Sequence, residues 1–297
     1  MSPYENEIRK RSRILKKDIN DLSLEEQIKT VIYDNSRAGD IINPSRELQL
    51  ALVRHNGFIL RYLKYHCAPD REVQEAAVMQ NGFSIGAVDD PDKKLQMLAV
   101  EQNPHAVSVI RHPHKDVLAA AVKKDPYAIG SIRCGAPVSI QLMAVRRDPA
   151  VIGQIAHPCE TVQVIAVTHD PKAIRYIRNP SIRAQLEAVG RNGHAIQYID
   201  NPDKDVQLAA VRNTGLAVKH IDSPDKDVQL AAVRDNGTAI EYIEAPSEEI
   251  QLAAIAQNKN AIDFIKNPCP SAVAAAKAEK KKCSGFKTAQ QEELDKS

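Results

Sequence analysis

Metal-binding side chains lie beside prolines in the middle of this sequence. His112 and His114 flank one proline, and His157 and Cys159 flank another. Imidazole nitrogen and thiolate sulfur are the usual ligands of zinc, and a structural zinc site takes four of them. The spacing of these residues matches no known zinc pattern, and the chain's five cysteines include no CxxC pair. We therefore predict no metal site and no disulfide framework.

Paired carboxylates suggest a second kind of chemistry, because general acid–base catalysis often uses two of them. Asp-Lys-Asp triplets occur at residues 203–205 and 225–227. Each triplet directly precedes a helical segment, however, where carboxylates stabilise the positive end of the helix dipole. The sequence also contains none of the glycine-rich phosphate-binding, zinc-protease or serine-hydrolase motifs. We predict that the protein is not an enzyme and has no catalytic residues and no cofactor.

Composition limits the class of protein. Hydrophobic residues make up 43% of the 297 residues, whereas aromatic residues make up 4% and tryptophan is absent. This combination favours closely packed small-residue helices over a β-sandwich. The net charge of +2 gives no general affinity for nucleic acid or membrane, and no apolar stretch is long enough to span a bilayer. Since the N-terminal segment also lacks the apolar core of a signal peptide, we expect a cytoplasmic protein without a membrane partner.

A sequence repeat runs through most of the chain and must position all of these side chains. The letters PDKDVQLAAVR occur at residues 202–212 and again at 224–234. Prolines recur at positions 44, 69, 91, 113, 137, 158, 180, 202, 224, 246 and 268, mostly 22 residues apart. A fixed period of this length is typical of a solenoid, in which each repeat is one supersecondary unit. Ten repeats therefore span residues 44–267.

Each repeat, numbered from its proline as position 1, contains one helical segment and one very short one. Positions 5–10 read V-Q-L-A-A-V in two repeats and close variants of it in the others, which is an amphipathic helical pattern. Position 13 is Asn, Asp or Thr and position 14 is nearly always Gly or Pro, the arrangement of an N-cap and first helical residue. Alanine pairs and Asp-Pro turns argue against a strand. We predict an all-α fold, a right-handed α-solenoid of about ten repeats, each with one short α-helix and a very short α or 3₁₀ helix.

Three segments divide the chain. Residues 1–43 are predicted to hold a basic helix and a degenerate capping repeat, because Ser23 and Glu26 have capping-box spacing and Gln27 and Val31 keep the repeat spacing. Residues 44–267 are the ten-repeat solenoid. Residues 268–297 are predicted to be a capping helix followed by a mobile charged tail.

Glutamine occupies position 6 in nine of the ten repeats, and Leu118 occupies it in the other. A helical wheel places position 6 in the middle of the apolar arc, and a buried amide without a partner costs about 1–3 kcal/mol. We therefore expect each amide to bond the backbone of the short helix or proline turn in a neighbouring repeat. The predicted structural ladder comprises Gln49, Gln74, Gln96, Gln141, Gln163, Gln185, Gln207, Gln229 and Gln251. Leu118 predicts a locally different junction near residues 113–137, where the repeat spacing also changes.

The repeat text PDKDVQLAAVRNTG, PHKDVLAAAVKKDP and PCETVQVIAVTHDP resembles the leucine-rich repeat variant family. In that family a helix of the form D-P-x-x-x-V-R-x-A-A-A-x-N-P alternates with a 3₁₀ helix. The text PDKDVQLAAVRDNGTAI is also similar to short tandem repeats of unknown function with the core D-x-x-V-x-x-A-V-x-x-N-G-x-A-L. The resemblance covers about residues 44–267 and implies an α-solenoid but no reaction. Position 6 departs from the family pattern, and no cysteine cluster precedes the repeats, so no iron–sulfur cluster is implied.

Charge is unevenly distributed along the repeats. Residues 105–194 carry twelve lysines and arginines against six acids, a net charge of +6. Residues 200–267 carry seven lysines and arginines against twelve acids, a net charge of −5. Several of the bases occupy positions 11 and 12, opposite the apolar arc of the helix. The repeats therefore predict a basic middle and an acidic C-terminal third.

Two functions use such a basic middle. We expect a non-enzymatic scaffold or adaptor that grips a protein partner along a curved repeat surface, with residues 105–194 as an electrostatic docking face. The predicted partner-binding residues are Lys123, Lys124, Arg146, Arg147, Arg175, Arg178 and Arg191. The alternative is an RNA or single-stranded nucleic-acid-binding repeat protein that uses the same basic stripe. Acidic residues at position 18 of some repeats argue against a continuous phosphate-lined groove.

Overall fold

The computed structural model describes residues 18–133 and 135–277. Every regular element in these residues is helical, and no strand is found among them. The predicted basic helix before residue 18 and the predicted charged tail after residue 277 lie outside the described residues.

Each repeat in the described part of the chain contains one α-helix of ten residues. These helices are α1 Leu24–Tyr33, α2 Arg46–His55, α4 Arg71–Gln80, α5 Lys93–Gln102, α6 Lys115–Lys124, α7 Val138–Arg147, α8 Glu160–His169, α9 Ile182–Arg191, α10 Lys204–Asn213, α11 Lys226–Asp235 and α12 Glu248–Gln257. The short helix α3 (Leu60–Leu63) lies between α2 and α4, and helical residues 270–277 follow the last complete repeat. The capping box expected at Ser23 and Glu26 is present at the start of α1.

A 3₁₀ helix follows each ten-residue α-helix. These helices are Asn35–Asp40, Gly57–Ile59, Gly82–Ala87, Pro104–Val109, Pro126–Ser131, Pro149–Gln154, Pro171–Tyr176, Gly193–Tyr198, Gly215–His220, Gly237–Tyr242 and Lys259–Phe264, and Ile19–Asp21 forms another before α1. One residue at position 13 both ends the α-helix and begins the 3₁₀ helix. Asn236, for example, donates its N–H to Ala232 at 2.9 Å, and its side chain accepts the N–H of Thr238 at 3.1 Å. The Asx caps expected from the sequence therefore connect the two helices of a repeat.

The chain forms two compact lobes. Among the described residues, the N-terminal lobe extends to Arg147 and includes Gln154–Ala156, whereas the C-terminal lobe comprises Asp148–Gly153 and residues 157–277. Within each lobe, α-helices of adjacent repeats pack on one another, and so do 3₁₀ helices of adjacent repeats. Packing between sequential neighbours is the defining feature of a solenoid. The predicted all-α repeat fold is thereby confirmed.

The core consists of small and β-branched side chains at fixed positions of the repeat. In α10, Val206, Ala210 and Val211 are fully buried, and Ala217 in the next 3₁₀ helix is too. Alanine at these positions lets neighbouring backbones approach closely, which suits a chain with few aromatic residues. The same positions are buried in the adjacent repeats.

The backbone turns sharply at the residue before the proline in several repeats. Five such residues have positive φ, near +46° to +49°, and they are Asn43, Asp90, Asn201, Ser223 and Ala245. Proline was expected to end the short helix by excluding the preceding residue from the α region. In the structure the short helix ends earlier, as at Tyr198, because the next residue, Ile199, is extended with a φ of −111° and a ψ of 116°. The left-handed residue instead lies in the bend that leads to the proline, in a conformation that Asn and Asp adopt more readily than Ser or Ala.

The junction at residues 113–137 differs from the others. Helix α7 begins at Val138, directly after Pro137, whereas α10 begins two residues after its proline. Gly135 has a φ of +76° in the segment that leads to this proline. Leu118, which replaces the usual glutamine, is buried with 5% of its surface exposed. The locally different junction expected from the sequence is therefore present, and an earlier helix start accompanies the shortened repeat.

Candidate functional site

Of the four histidine and cysteine residues beside prolines, one caps a helix with its side chain and one occupies an N-cap position without a side-chain hydrogen bond. His114 caps α6, since its Nδ1 accepts the N–H of Asp116 at 3.2 Å. Cys159 is the exposed N-cap of α8. Among the described residues, no three His, Cys, Asp or Glu side chains come together in a metal-binding arrangement.

A histidine, a serine and an aspartate that the sequence did not connect meet in the N-terminal lobe. His105 Nδ1 lies 2.8 Å from Ser131 Oγ, and His105 Nε2 lies 3.0 Å from Asp125 Oδ2. A catalytic triad uses the same residue types, but it activates serine in a site that excludes water. Here the His105 and Asp125 side chains are 41% and 36% exposed. We interpret the trio as a polar contact between adjacent repeats.

A second histidine contact joins adjacent repeats in the C-terminal lobe. The rings of His194 and His220 meet edge to face, with centroids 5.6 Å apart. Burial, together with the positive charge of Lys219 and the neighbouring His194, holds the pKa of His220 below its usual value. Contact with His194 and partial burial therefore favour the neutral form of His220 between these repeats.

The first group of predicted partner-binding residues lies at two adjacent helix ends in the N-terminal lobe. Lys123 and Lys124 end α6, Arg146 and Arg147 end α7, and all four residues are exposed. Helices α6 and α7 pack against each other. The negative end of each helix dipole stabilises these cations, so the helices place four positive charges on one side of the lobe.

Within the described residues, carboxylates form no ion pair with most of this group. Helix α7 contains no acidic residue, and Asp116 of α6 pairs with Lys93 of the preceding repeat. Within the described part of the chain, no ion pair involves Lys123, Arg146 or Arg147. Their positive charge therefore faces solvent.

The remaining predicted partner-binding residues lie in the C-terminal lobe and have closer contacts. The Arg175 guanidinium lies 4.6 Å from the centroid of the Tyr176 ring. Arg191 Nε donates a hydrogen bond to Glu187 Oε1 at 2.6 Å. Arg178 is exposed. The sequence assigned all seven bases to one docking face, whereas the structure describes them as two groups on separate lobes.

The nine position-6 glutamines make the same hydrogen bond. In each of them Nε2 donates to the backbone carbonyl five residues earlier, at 2.7–3.0 Å. This carbonyl belongs to the proline that starts the repeat in eight of them and to Ala136 for Gln141. At Gln96, Gln163 and Gln251 the amide oxygen also accepts an N–H from the next proline turn, at 2.8–3.0 Å. The sequence placed the partner only in a neighbouring repeat. The nearer carbonyl is available because the proline turn folds back over the first turn of its own helix.

Glycines at position 14 form a second tie between repeats that the sequence analysis did not predict. In the described structure five of them donate their N–H to the position-12 side chain of the next repeat, at 2.6–2.8 Å. The pairs are Gly57–Gln80, Gly82–Gln102, Gly193–Asn213, Gly215–Asp235 and Gly237–Gln257. A Cβ added at these glycines would lie 2.4–2.5 Å from a backbone carbonyl of the next repeat. Glycine is therefore required for this close approach.

Proline at position 14 is accompanied by a base at position 12 of the next repeat. Proline has no N–H to donate, so the facing side chain need not accept a hydrogen bond. Pro104, Pro126, Pro149 and Pro171 correspond in this way to Lys124, Arg147, His169 and Arg191. Lys124 instead donates from Nζ to the backbone carbonyl of Glu101. Three of the predicted partner-binding residues thus face a proline, where no backbone N–H needs a hydrogen-bond acceptor.

A third tie consists of ion pairs between the first turns of adjacent α-helices. The pairs include Arg46–Asp70 at 2.7 Å, Arg71–Asp92 at 3.1 Å, Lys204–Asp225 at 2.8 Å, Lys226–Glu249 at 2.6 Å, and Lys93–Asp116. The hydrogen bonds that Lys204 donates to Asp225 and Asp227 raise the pKa of its ammonium group. The first turn of α7 contains no acid, so it has no carboxylate to offer such a pair.

Comparison with models of known protein families, with curated proteins and with solved structures finds no match. The resemblance of the repeat text to the leucine-rich repeat variant family therefore stays a prediction. Within the described residues, no helix combines the length and the apolar character needed to cross a membrane.

Proposed function

We propose that the protein is a non-enzymatic cytoplasmic scaffold that binds an acidic protein partner through the ends of α6 and α7. The proposed contact residues are Lys123, Lys124, Arg146 and Arg147, which are exposed on adjacent helices. Like charges placed side by side repel one another, and a partner of opposite charge relieves that repulsion and speeds association. A docking role explains why these cations form no ion pair with a described carboxylate.

The observation that carries the proposal is the mixture of apolar and basic side chains on α7. Met143 is 40% exposed and Val138 is 47% exposed on the helix that ends in Arg146 and Arg147. Residues three and four apart are neighbours on a helix surface, so Met143 adjoins both arginines. Methionine and arginine are enriched where proteins meet, whereas phosphate contacts need no apolar neighbour. This favours a protein over a nucleic acid as the partner of α7.

Charge reversal on α7 tests the proposal. We expect Arg146→Glu with Arg147→Glu to weaken partner binding by about tenfold or more at low salt, because attraction becomes repulsion. Proteins captured from lysate by the immobilised full chain after nuclease treatment would identify the partner. Affinity for that partner would then be measured over a salt series.

The matched control reverses two arginines at position 11, the repeat position of Arg146, outside the basic middle. Arg212→Glu with Arg234→Glu makes the same charge change on α10 and α11. This control should retain the partner. Equal loss in both double variants, unchanged affinity in the α7 variant, or capture that disappears with nuclease would contradict the proposal.

A further inference from the structure

One repeat is longer than the others and forms a cleft. The interval from Pro44 to Pro69 has 25 residues where most repeats have 22. Its 3₁₀ helix stops at Ile59 and continues directly as α3, which is followed by a turn over residues 64–66. Insertions in repeat proteins map to loops on one face, and that face is often the binding face.

The insertion and the next repeat enclose an open cleft of about 260 Å³ in the N-terminal lobe. Aromatic rings of Phe58, Tyr65 and Phe83 line it. Tyr65 is 81% exposed and Phe58 is 46% exposed. Phe58 and Phe83 occupy position 15 of consecutive repeats and are two of only four phenylalanines in the chain. Three rings around one cleft are a concentration that the sparse aromatic composition makes unusual.

Two cations lie among these rings. Arg61 is exposed, and its guanidinium lies 5.7 Å from the centroid of the Tyr62 ring. Lys64 Nζ contacts Asp89 at 2.6 Å and holds the pKa of that carboxyl below its usual value, with a smaller contribution from Arg111. The nearby carboxylate is thus already neutralised by bases. Within the described part of the chain no ion pair involves Arg61, so its charge remains available.

We propose that this cleft binds a single-stranded nucleic acid. Bases stack on Phe58, Tyr65 and Phe83, while Arg61 and Lys64 contact the backbone phosphates. Alternating aromatic rings and cations hold single strands in this way, and each stacked base contributes about 1–3 kcal/mol. The residues differ from those of the basic α6 and α7 ends, so the inference does not depend on the protein partner proposed above.

The size and openness of the cleft select a strand over a free nucleotide or a peptide. Pockets for small ligands usually enclose about 300–1,000 Å³ and bury most of the ligand. A single strand needs no enclosure, because its affinity is distributed over several stacked bases and phosphates. An acidic peptide would use the two cations but would leave the exposed rings of Phe58 and Tyr65 without a specific role.

Fluorescence anisotropy with the full chain tests the inference. The probe is a labelled oligouridylate of about ten nucleotides, within the usual size of such sites. Tyr65→Ala should raise the dissociation constant about 5- to 100-fold, whereas Tyr65→Phe should stay near wild type because the ring remains. Arg61→Gln should reduce the slope of log affinity against log salt by about 0.7, the contribution of one phosphate contact.

The matched control is Tyr33→Ala, which removes another exposed tyrosine, 67% exposed at the end of α1. It should bind the oligonucleotide like wild type. The inference is overturned if the oligonucleotide does not bind, or if Tyr33→Ala loses as much affinity as Tyr65→Ala. It is also overturned if binding depends on Arg146 and Arg147 but not on Tyr65, or if the cleft variants lose affinity only for a labelled oligoglutamate peptide.

Discussion

At position 14 of most repeats, the choice between glycine and proline decides what the facing side chain must do. Glycine brings an N–H and a close backbone approach, so position 12 of the next repeat supplies an oxygen, as Asn213 does for Gly193 at 2.8 Å. Proline has no N–H to donate, and position 12 is then free to carry a base such as Arg147. Position 12 therefore carries either a side chain that hydrogen-bonds the preceding repeat or an exposed charged side chain.

The close approach predicts opposite effects for alanine at two glycines in the C-terminal lobe. A Cβ at Gly215 would lie 2.4 Å from the Ala232 carbonyl, whereas nothing lies within 4 Å of a Cβ at Gly190. We expect Gly215→Ala to lower the free energy of unfolding by about 1–3 kcal/mol through overpacking. Gly190→Ala within α9 should instead raise it by about 0.5–1 kcal/mol. Urea unfolding followed by circular dichroism measures both, and a stable Gly215→Ala protein would show that the backbones can separate.

At the scale of helices, the sequence predicts the caps within a repeat and misses the hydrogen bonds that join one repeat to the next. The Asx caps are readable because cap and partner lie two residues apart, as with Asn236 and Thr238. The tie from Gly237 to Gln257 spans twenty residues, and a reading of single helices does not reveal it. A correlation between two positions could have revealed it. Where position 14 is glycine, position 12 of the next repeat is an oxygen acceptor, and where position 14 is proline, position 12 of the next repeat is a base.

This correspondence predicts how repeats tolerate lysine at position 12. Asn213→Lys removes the acceptor of the buried Gly193 N–H and should cost about 1–3 kcal/mol of unfolding free energy. His169→Lys places the same residue opposite Pro149, which has no N–H, and should change stability by no more than about 0.5 kcal/mol. Thermal unfolding of the two variants provides the comparison. Equal losses would mean that the amide tie contributes little beyond the helix change itself.

At the scale of the whole molecule, the repeat pattern predicts a solenoid but not the location of its candidate binding surfaces. Aliphatic periodicity and the proline interval are properties of the repeated text, so the all-helical stack follows from them. The basic middle was read as one stretch of sequence, yet its bases belong to two lobes, and Arg191 is already paired with Glu187. The cleft at Tyr65 was missed because its rings come from two 3₁₀ helices and a turn in consecutive repeats. In the sequence it is marked by a three-residue excess in one repeat and by phenylalanine at position 15 of two repeats.

Because each repeat packs only on its sequential neighbours, we expect that a substitution in one repeat destabilises that repeat and its neighbours but not distant repeats. In a solenoid each repeat depends on itself and its two interfaces, so a destabilised repeat opens before the rest. We expect Gly215→Ala to accelerate backbone hydrogen exchange in α10, α11 and the 3₁₀ helix between them. Exchange in α4 and α5 of the N-terminal lobe should match wild type, and mass spectrometry of peptic fragments resolves the two regions. Uniform acceleration along the chain would instead require a single cooperative unit, in which the ties at positions 6, 12 and 14 couple every repeat to all the others.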